Sequence, residues 1–469
     1  MRKTDLPLGW VLAKIGEVVA QENSKMIPGS ANSPKDFIGL DDIAPEIGSI
    51  IGRQDPSNLT SAGNVAEIGD IMYCRLRPYL NKVAIADQRY LCSGELLILR
   101  IPDDVSNLFV THWLRSQDFV KYAIANSMGD RPRVYWTAIA ESEMPLPPSR
   151  EQVRIVDELE RRLSHVDAAA AGLRSALKRV HLARQSVRIA ATSGALVEAL
   201  SSDSLSKLLD EKGIPYERVT GRPGWIITRL GKVARVGSGS TPKRGDKRYW
   251  ENGTIPWVTS GQVNQEMIHV PAALITQAAL DETSVKIWPA GTLLLAMYGE
   301  GKTRGKCAEL AINSTCNQAC AAIYLENDLS DLQPFIKLSL QSRYEENRGL
   351  GGGGVQENLN LGLVKEMPLV LPDFEVQAKL VAEAERRLSL IDVAEWTIVA
   401  NITKTEQLRR SVLAAAFDGQ LVSQDPNDEP AERLIESIRE RRAKQTTAKT
   451  DDEATTRSST KTRKKEPSK

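Results

Sequence analysis

Apolar residues recur every three or four positions along the middle of the chain. Between residues 151 and 192 this alternation is broken only at Arg184, and no proline interrupts it. The apolar positions are Val156, Leu159, Leu163, Val166, Ala170, Leu173, Leu177, Val180 and Val187. The pattern predicts one long helix that stops at the Thr-Ser-Gly of residues 192–194.

A second stretch, residues 375–417, repeats the pattern with interruptions at Glu395, Thr405 and Arg409 and a stop at Asp418–Gly419. Its apolar positions are Val381, Ala384, Leu388, Ile391, Ile398, Ile402 and Val412. A seven-residue period kept for this long is typical of a coiled coil, and each helix would span roughly 60 Å. We expect the two helices to pair within the chain and to hold two domains apart.

The segments 1–150 and 216–372 have a different texture. They contain short apolar runs such as Ile68–Tyr73 and Gly291–Ala296, separated by many Gly, Pro and Asn residues. Both end in Glu-Met-Pro-Leu, at Glu143–Leu146 and Glu366–Leu369. This pattern predicts two domains of mixed α and β structure with long loops, and each proline closes a domain before a long helix begins.

The chain contains an internal repeat. Arg161–Ser164 reads Arg-Arg-Leu-Ser and recurs 225 positions later as Arg386–Ser389, and Gln152 and Gln377 keep the same offset. Upstream, Gly9–Trp10 recurs as Gly224–Trp225 with an offset of 215. The sequence therefore indicates a tandem duplication in which the helices stayed alike and the domains diverged. Two different recognition surfaces on one repeated scaffold are expected.

Composition narrows the class of protein. A chain of 469 residues with 41% hydrophobic and 26% charged residues is expected to form two or more globular domains. No apolar run follows Met1–Asp5, and the five cysteines are an odd number, which favours reduced thiols and a cytoplasmic location. The net charge of +1 gives no sign of nucleic-acid binding. The basic tail after about Ala443 is predicted to be disordered.

The sequence offers no convincing catalytic set. The glycine-rich stretch Gly349–Gly354 lacks the lysine of a phosphate-binding loop, and the four histidines form no His-Glu-x-x-His pair. Cys316 and Cys320 are a weak zinc signal without a second pair, so buried structural cysteines are the favoured interpretation. We therefore predict that the chain is not an enzyme and binds neither metal nor cofactor.

Basic residues instead cluster with amides and aromatics in predicted loops of both domains. Arginine and lysine neutralise phosphates, arginine reads guanine, and asparagine or glutamine reads adenine. The alternative for any one loop is ordinary solvated surface, so the hypothesis depends on the matched placement in both domains. The candidate DNA-binding residues are Arg75, Arg77, Asn81, Lys82, Arg131 and Arg133 in the first domain and Thr241, Lys243, Arg244, Lys302, Arg304, Lys306, Gln356 and Asn358 in the second.

Three stretches resemble the specificity (S) subunit of Type I restriction–modification enzymes. Leu408–Val422 running into Asp425–Ala431 is similar to the distal conserved region of that family. Gly237–Pro242 with Ile255–Trp257 resembles a common opening of its target-recognition domains. The Pro-Leu-Pro-Pro of residues 145–148 with Glu151–Gln152 resembles the junction into the central conserved helix. The central copy departs from the pattern, because Thr192 stands where the distal copy has Phe417.

The resemblance implies a fold and a division of labour. The fold would be α+β, with two mixed α/β target-recognition domains separated by two long helices that form an antiparallel intramolecular coiled coil, in a pseudo-two-fold tandem repeat. Each domain would read one half of a split, asymmetric double-stranded DNA site. Two methyltransferase (M) subunits would dock on the helices and use S-adenosylmethionine, and two restriction (R) subunits would add ATP- and Mg-dependent cleavage. No membrane contact is implied.

The expected boundaries are then target-recognition domain 1 at 1–150, central helix at 151–197, linker at 198–215, target-recognition domain 2 at 216–372, distal helix at 373–422, C-terminal conserved segment at 423–442 and basic tail at 443–469. Two other classes stay open: a nuclease or methyltransferase with a disguised site, and a coiled-coil protein that binds other proteins. A specificity subunit that serves methylation alone is a narrower variant.

Overall fold

A computed structural model describes residues 6–30, 32–198, 202–299, 303–349 and 358–444. The chain divides into two compact units. Unit 1 comprises residues 1–173 and 400–469, and unit 2 comprises residues 174–399. Both mix helices with short strands, which confirms the predicted α+β class. Within the described residues, no helix is both long and apolar enough to cross a membrane.

The described residues of the first half of the chain form ten strands and five α-helices. In chain order they are β1 Val11–Lys14, α1 Ile15–Val18, β2 Ala20–Glu22, β3 Lys25–Met26, β4 Phe37–Ile38, β5 Gly63–Ala66, β6 Ile71–Cys74, β7 Val83–Ile85, β8 Tyr90–Cys92, β9 Leu96–Arg100, α2 Asn107–Arg115, α3 Gln117–Ala125, α4 Trp136–Glu141, β10 Glu143–Leu146 and α5 Ser149–Thr192.

Over the part of the second half that the structure describes, eleven strands and eight α-helices follow. They are α6 Ser204–Glu211, β11 Glu217–Arg218, β12 Ile226–Arg229, α7 Leu230–Val233, β13 Arg235–Ser238, β14 Ile255–Val258, β15 Met267–Ile268, β16 Ala273–Ile275, α8 Gln277–Glu282, β17 Leu293–Ala296, β18 Cys307–Leu310, β19 Thr315–Cys316, β20 Cys320–Tyr324, α9 Gln333–Ser342, α10 Tyr344–Gly349, α11 Leu361–Lys365, β21 Pro368–Leu371, α12 Phe374–Phe417 and α13 at 431–444.

The two units share one sheet topology. Unit 1 has the strand order β2-β9-β6-β7, and unit 2 has β13-β20-β17-β18 followed by β15. Neighbours among the first four strands of each sheet are antiparallel. A separate strand pair precedes each long helix: Val11 of β1 faces Leu146, and Ile226 of β12 faces Leu371. These two pairs reproduce the sequence offsets of 215 and 225.

The two long helices lie within two residues of the bounds that the periodicity predicts, 151–192 and 375–417. Along each helix the seam positions are buried or half-buried while most intervening residues are exposed. In unit 1 the beginning of α5 packs on the end of α12, where Leu159 and Leu163 join Val412 and Leu413 in one apolar cluster. In unit 2 the end of α5 packs on the beginning of α12 through Ala191 and Ala384.

The predicted interruptions of the seam are paired charges. In unit 1, Arg409 forms an ion pair with Asp167. In unit 2, Arg184 pairs with Asp392 at 2.7 Å and with Glu395 at 2.5 Å. Arg184 and Arg409 are 225 positions apart, and so are Asp167 and Asp392. The same ion pair is therefore made once in each unit, with the roles of the two helices exchanged.

In each unit a short helix packs on the core close to the long helix that begins there, α5 in unit 1 and α12 in unit 2. In unit 2 this is α6, inside the segment predicted as a linker, because Leu205 and Leu209 are fully buried and Asp373 accepts a hydrogen bond from the Leu205 amide at 3.0 Å. In unit 1 it is α13, whose Ile435 and Ile438 are buried. The amphipathic spacing of these leucines and isoleucines explains why both segments are helical.

Candidate nucleic-acid interface

The two basic stretches of unit 1 come together at one end of its sheet. Cys74 ends β6 opposite Leu96, which begins β9, so Arg75 and Glu95 leave the sheet side by side. The Arg77 amide then donates to the Pro132 carbonyl at 2.7 Å, and the Val134 amide donates to the Arg75 carbonyl at 3.0 Å. The loop after β6 and the loop before α4 therefore form one surface. The sequence predicted both loops but not their contact.

Glu95 lies between two of the candidate arginines. Arg133 donates Nη2 and Nε to the Oε1 atom of Glu95 at 2.9 and 3.0 Å and Nε also to Oε2 at 3.1 Å, and Arg75 donates Nε to Oε2 at 3.0 Å. The guanidinium of Arg75 also lies 5.6 Å from the centre of the Tyr135 ring. Hydrogen bonds first from Arg133 and then from Arg75 lower the pKa of Glu95 below its usual value, so this carboxylate stays ionised between them.

Arg77 and Arg131 are exposed on the same surface. Arg77 begins the turn Arg77–Asn81 with a left-handed φ of 53°, and Asn81 ends it with a φ of 48°. Left-handed conformations are uncommon for residues other than glycine, so this turn is held by its surroundings. It projects one exposed arginine from a constrained loop, where its charge can neutralise a phosphate.

Asn81 and Lys82 have structural contacts instead. The Lys82 side chain is only 9% exposed and its Nζ donates to the Leu40 carbonyl at 2.7 Å. The Asn81 side-chain amide donates to the Arg115 carbonyl at 3.0 Å, and the Asn81 carbonyl accepts from the Glu46 amide. Both residues attach the loop of residues 40–48 beside the basic turn. Lys82 is therefore buried rather than presented to DNA, whereas Asn81 is half-buried with its side-chain amide already used.

The second unit gathers its candidate loops at the matching end of its sheet. β13 ends at Ser238 beside Ala321, and β17 ends at Ala296 opposite Cys320. β18 and β20 begin at that same end. Backbone hydrogen bonds link the loops: the Ser240 amide donates to the Cys316 carbonyl at 2.8 Å, and the Leu359 amide donates to the Met297 carbonyl at 3.1 Å.

Gly239 explains part of the motif at residues 237–242. A Cβ atom at this position would lie 2.0 Å from the Cys316 carbonyl oxygen and 2.4 Å from that of Asn317. Only glycine allows the loop to pack so closely against the turn before β20. Thr241, two residues later, donates its hydroxyl to the side chain of Gln318. The motif therefore fixes the direction in which the following lysine and arginine leave the sheet.

Aromatic rings hold the arginine of this loop. The guanidinium carbon of Arg244 lies 4.5 Å from the centre of the Trp250 ring and 4.8 Å from that of Trp257. The two indoles are edge to face, with centroids 5.1 Å apart. Trp250 donates Nε1 to the Lys243 carbonyl at 3.1 Å. Lys243 and Arg244 are both exposed on this surface.

The remaining candidates of unit 2 lie in two further segments. Arg304 is half-buried, and its Nε has no hydrogen-bond partner among the described residues. Lys306 donates Nζ to Asn264 at 2.7 Å. Asn358 is half-buried beside the buried Leu359. Lys302 and Gln356 lie outside the described residues, as does most of the glycine-rich stretch, so the structure says nothing of them.

The residues that the sequence analysis did not select as candidates are Glu95, Tyr135, Trp250 and Trp257, although Trp257 belongs to the motif at residues 255–257. Each lies against a candidate arginine, and residue composition alone carries no signal for such contacts. The cysteine prediction is confirmed: all five thiols are buried and unpaired, and burial raises the pKa of Cys316 to about 12. In the described part of the chain, no group of three or more His, Cys, Asp or Glu residues could hold a metal ion.

Comparison with known proteins confirms the resemblance seen in the sequence. Residues 223–383 match the family model of the Type I restriction modification DNA specificity domain. The specificity subunit of the Type I restriction enzyme EcoDI from Escherichia coli is 30% identical over 178 residues, which cover 36% of this chain and 40% of that protein. The StySPI specificity subunit from Salmonella potsdam is 24% identical over 314 residues, 64% of each chain. The matched regions thus span less than two thirds of these relatives.

The fold also has a solved counterpart. A chain from a structure of the type I R-M system superposes with a TM-score of 0.68 at 19% sequence identity, covering 88% of this chain and 99% of that one. At this identity the likeness shows a shared fold. It extends the similarity from residues 223–383 to most of the chain.

Proposed function

This chain is a relative of the specificity subunits of Type I restriction–modification enzymes, and on that premise we propose that it is the DNA-recognition subunit of such a complex. Unit 1 reads one half of a split double-stranded site, and unit 2 reads the other half. The chain performs no chemistry itself. S-adenosylmethionine, ATP and Mg act on the methyltransferase and restriction subunits, in the cytoplasm.

One observation carries this proposal. Each unit places basic loops at the equivalent end of its own sheet. The loops of the two units nevertheless differ in sequence and in the side chains that contact their arginines. In unit 1 a carboxylate holds two arginines, Arg75 and Arg133. In unit 2 two indoles hold Arg244. Equivalent scaffold positions with different contact groups fit two half-sites of different sequence, because base edges are distinguished by the donors and acceptors placed against them.

The long helices support the proposed spacing role. The ion pair of Arg184 with Asp392 and that of Arg409 with Asp167 repeat at one offset, as expected for two helices related by a pseudo-two-fold axis. We propose that they pair as an antiparallel coiled coil and set the gap between the half-sites. Adding one heptad to each helix is then expected to lengthen the unspecified gap and to leave the bases of both half-sites unchanged.

A face of α12 in unit 2 supports docking of a methyltransferase subunit. Leu390 is 62% exposed, Val393 63% and Trp396 74%, and the three lie one helical turn apart on the side away from the seam. Large exposed apolar patches on soluble proteins commonly mark binding surfaces, and tryptophan is enriched among the residues that dominate them. Replacing Trp396 by alanine is expected to weaken co-purification with the methyltransferase subunit at least ten-fold. Thr397→Ala, at the next position, is the control.

The test of the main proposal is a genome-wide adenine-methylation map of the source cell with and without this gene. Loss of one split, asymmetric methylated motif on deletion, and its return on complementation, is the expected result. An unchanged map would favour a protein-binding role instead. Restriction of unmethylated incoming DNA in the same strains separates a complex with two restriction subunits from one that only methylates.

A further inference from the structure

Arg75 differs from Arg133 in which nitrogen atoms of its guanidinium make hydrogen bonds to the protein. Its Nε donates to Glu95 at 3.0 Å, and the plane lies near the Tyr135 ring at 5.6 Å. In the part of the chain that the structure describes, its two terminal nitrogens make no hydrogen bond. The side chain is 26% exposed. Arg75 therefore presents a fixed, unoccupied pair of parallel N–H donors at the surface.

Arg133 is used in the opposite way. Its Nε and Nη2 both donate to Glu95, and Nη1 lies 3.5 Å from the Arg131 carbonyl oxygen. These donors are directed at the protein, so the positive charge of Arg133 neutralises the Glu95 carboxylate and is not presented to solvent. Hydrogen bonds from the two arginines keep the pKa of Glu95 low. The three side chains carry a net charge of +1, and the outward part of that charge lies on Arg75.

We propose that Arg75 is a guanine-reading residue of unit 1 and that Glu95 and Tyr135 are its positioning residues. The inference rests on the proposed function and names the residue that carries specificity there. A guanidinium fork matches the O6 and N7 acceptors of guanine in the major groove. A side chain already fixed by a carboxylate and a ring loses less conformational freedom on binding. Arg77 and Arg131, which are exposed, contact phosphates.

The first test separates base reading from charge. Arg75→Lys keeps the charge and removes the fork, so in a methylation map the guanine at one position of one half-site becomes degenerate, with discrimination falling roughly ten-fold or more. Arg77→Gly is the matched variant, because its left-handed φ of 53° suits glycine. It is expected to weaken binding to all sequences alike and to lower the salt slope by about one. Identical motifs for Arg75→Lys and the unmodified chain would overturn the assignment.

The second test concerns Glu95. Glu95→Gln removes the negative charge and frees both arginines. With purified full-length chain and a duplex carrying the mapped motif, the same guanine position loses discrimination while affinity for unrelated duplex rises and its salt dependence steepens. Glu67→Gln is the control, since Glu67 forms a comparable 2.9 Å ion pair with Arg89 at the opposite end of the sheet. It is expected to change neither quantity.

Two outcomes contradict the inference without touching the proposed function. If Glu95→Gln lowers the melting temperature and weakens discrimination at every position of the half-site, then Glu95 is a fold contact. If Glu95→Gln behaves like Glu67→Gln, it does not orient Arg75. Failure of the proposed function itself looks different, because the unmodified gene then leaves no methylated motif in the map at all.

Discussion

The equivalent ends of the two sheets, one in each unit, carry different side chains around their arginines. Unit 1 fixes its arginines with a carboxylate between them and a constrained turn beside them, whereas unit 2 fixes Arg244 against two indoles and backs the loop with a glycine. The strand order and the register of the pairs before the helices are nevertheless shared. The duplicated chain has therefore kept the strands that position each loop and changed the side chains that the loop presents to a ligand.

The sharpest stability difference is predicted at the end of the long helices. Phe417 is 4% exposed and lies edge to face with Phe109 and Trp113, at 5.4 and 5.0 Å. Phe417→Ala is expected to destabilise unit 1 by about 3–5 kcal/mol. The equivalent Thr192→Ala removes a half-buried hydroxyl that contacts Ser342 at 3.2 Å and two carbonyls of its own helix, and it should cost unit 2 about 1 kcal/mol or less. Hydrogen exchange resolved by unit measures both, and equal losses would contradict the asymmetry.

The seam charges provide the next test. Arg184 forms ion pairs with three carboxylates in unit 2, those of Glu266, Asp392 and Glu395, whereas Arg409 forms one in unit 1. Arg184→Leu is expected to lower the free energy of unfolding by about 1–3 kcal/mol. Arg409→Leu should lower it less, because removing Arg184 leaves more negative charge unpaired than removing Arg409 does. Urea denaturation of the full chain gives the difference. Adding Glu395→Leu to Arg184→Leu should restore part of the lost stability. If it does not, the seam at this position cannot accommodate an apolar pair in place of the ion pair.

The ion pairs at these seam positions could not be predicted from the sequence. The periodicity predicted both helices to within two residues and located the interruptions, but it treated Arg184, Glu395 and Arg409 as weaknesses. Their partners are far away in sequence, and a single sequence does not reveal which helix turns face each other. The candidate loops were likewise found by composition, while the roles of Glu95 and Tyr135 were missed because both contact Arg75 from segments that are distant in sequence. Lys82 was included for its charge, although the fold buries it.

The pH response should also differ between the units. His112 in unit 1 is buried, and this burial lowers its pKa below the usual 6.5, with Arg115 acting in the same direction and Glu160 opposing. The native state therefore holds a neutral imidazole while the unfolded chain takes up a proton. Stability is fully present above pH 6.5 and is lost as the pH falls below it, by up to about 1.4 kcal/mol per pH unit. Denaturation between pH 7.5 and 5.5 tests this, and His112→Gln should flatten the curve.

The smallest expected effect concerns the ring that supports Arg244. Trp250→Ala leaves the charge and removes one stacking face, so affinity for the mapped duplex should fall by about 0.5–1 kcal/mol, the worth of one exposed cation–π contact. Arg248→Ala is the control. That arginine is paired with Asp246 at 2.9 Å, and its removal should change affinity less. A larger effect for Arg248→Ala, measured by titration at fixed salt, would mean that the contact surface of unit 2 lies further along this loop.

The central claim is that each unit reads its own half of one DNA site. The most direct measurement is a methylation map of cells carrying either Arg75→Ala with Arg77→Gly in unit 1 or Arg244→Ala with Arg304→Ala in unit 2. We predict that the first pair relaxes only one half of the motif, that the second pair relaxes only the other half, and that the gap length stays fixed in both. Changes to both halves from either pair, or a shift in the gap, would contradict it.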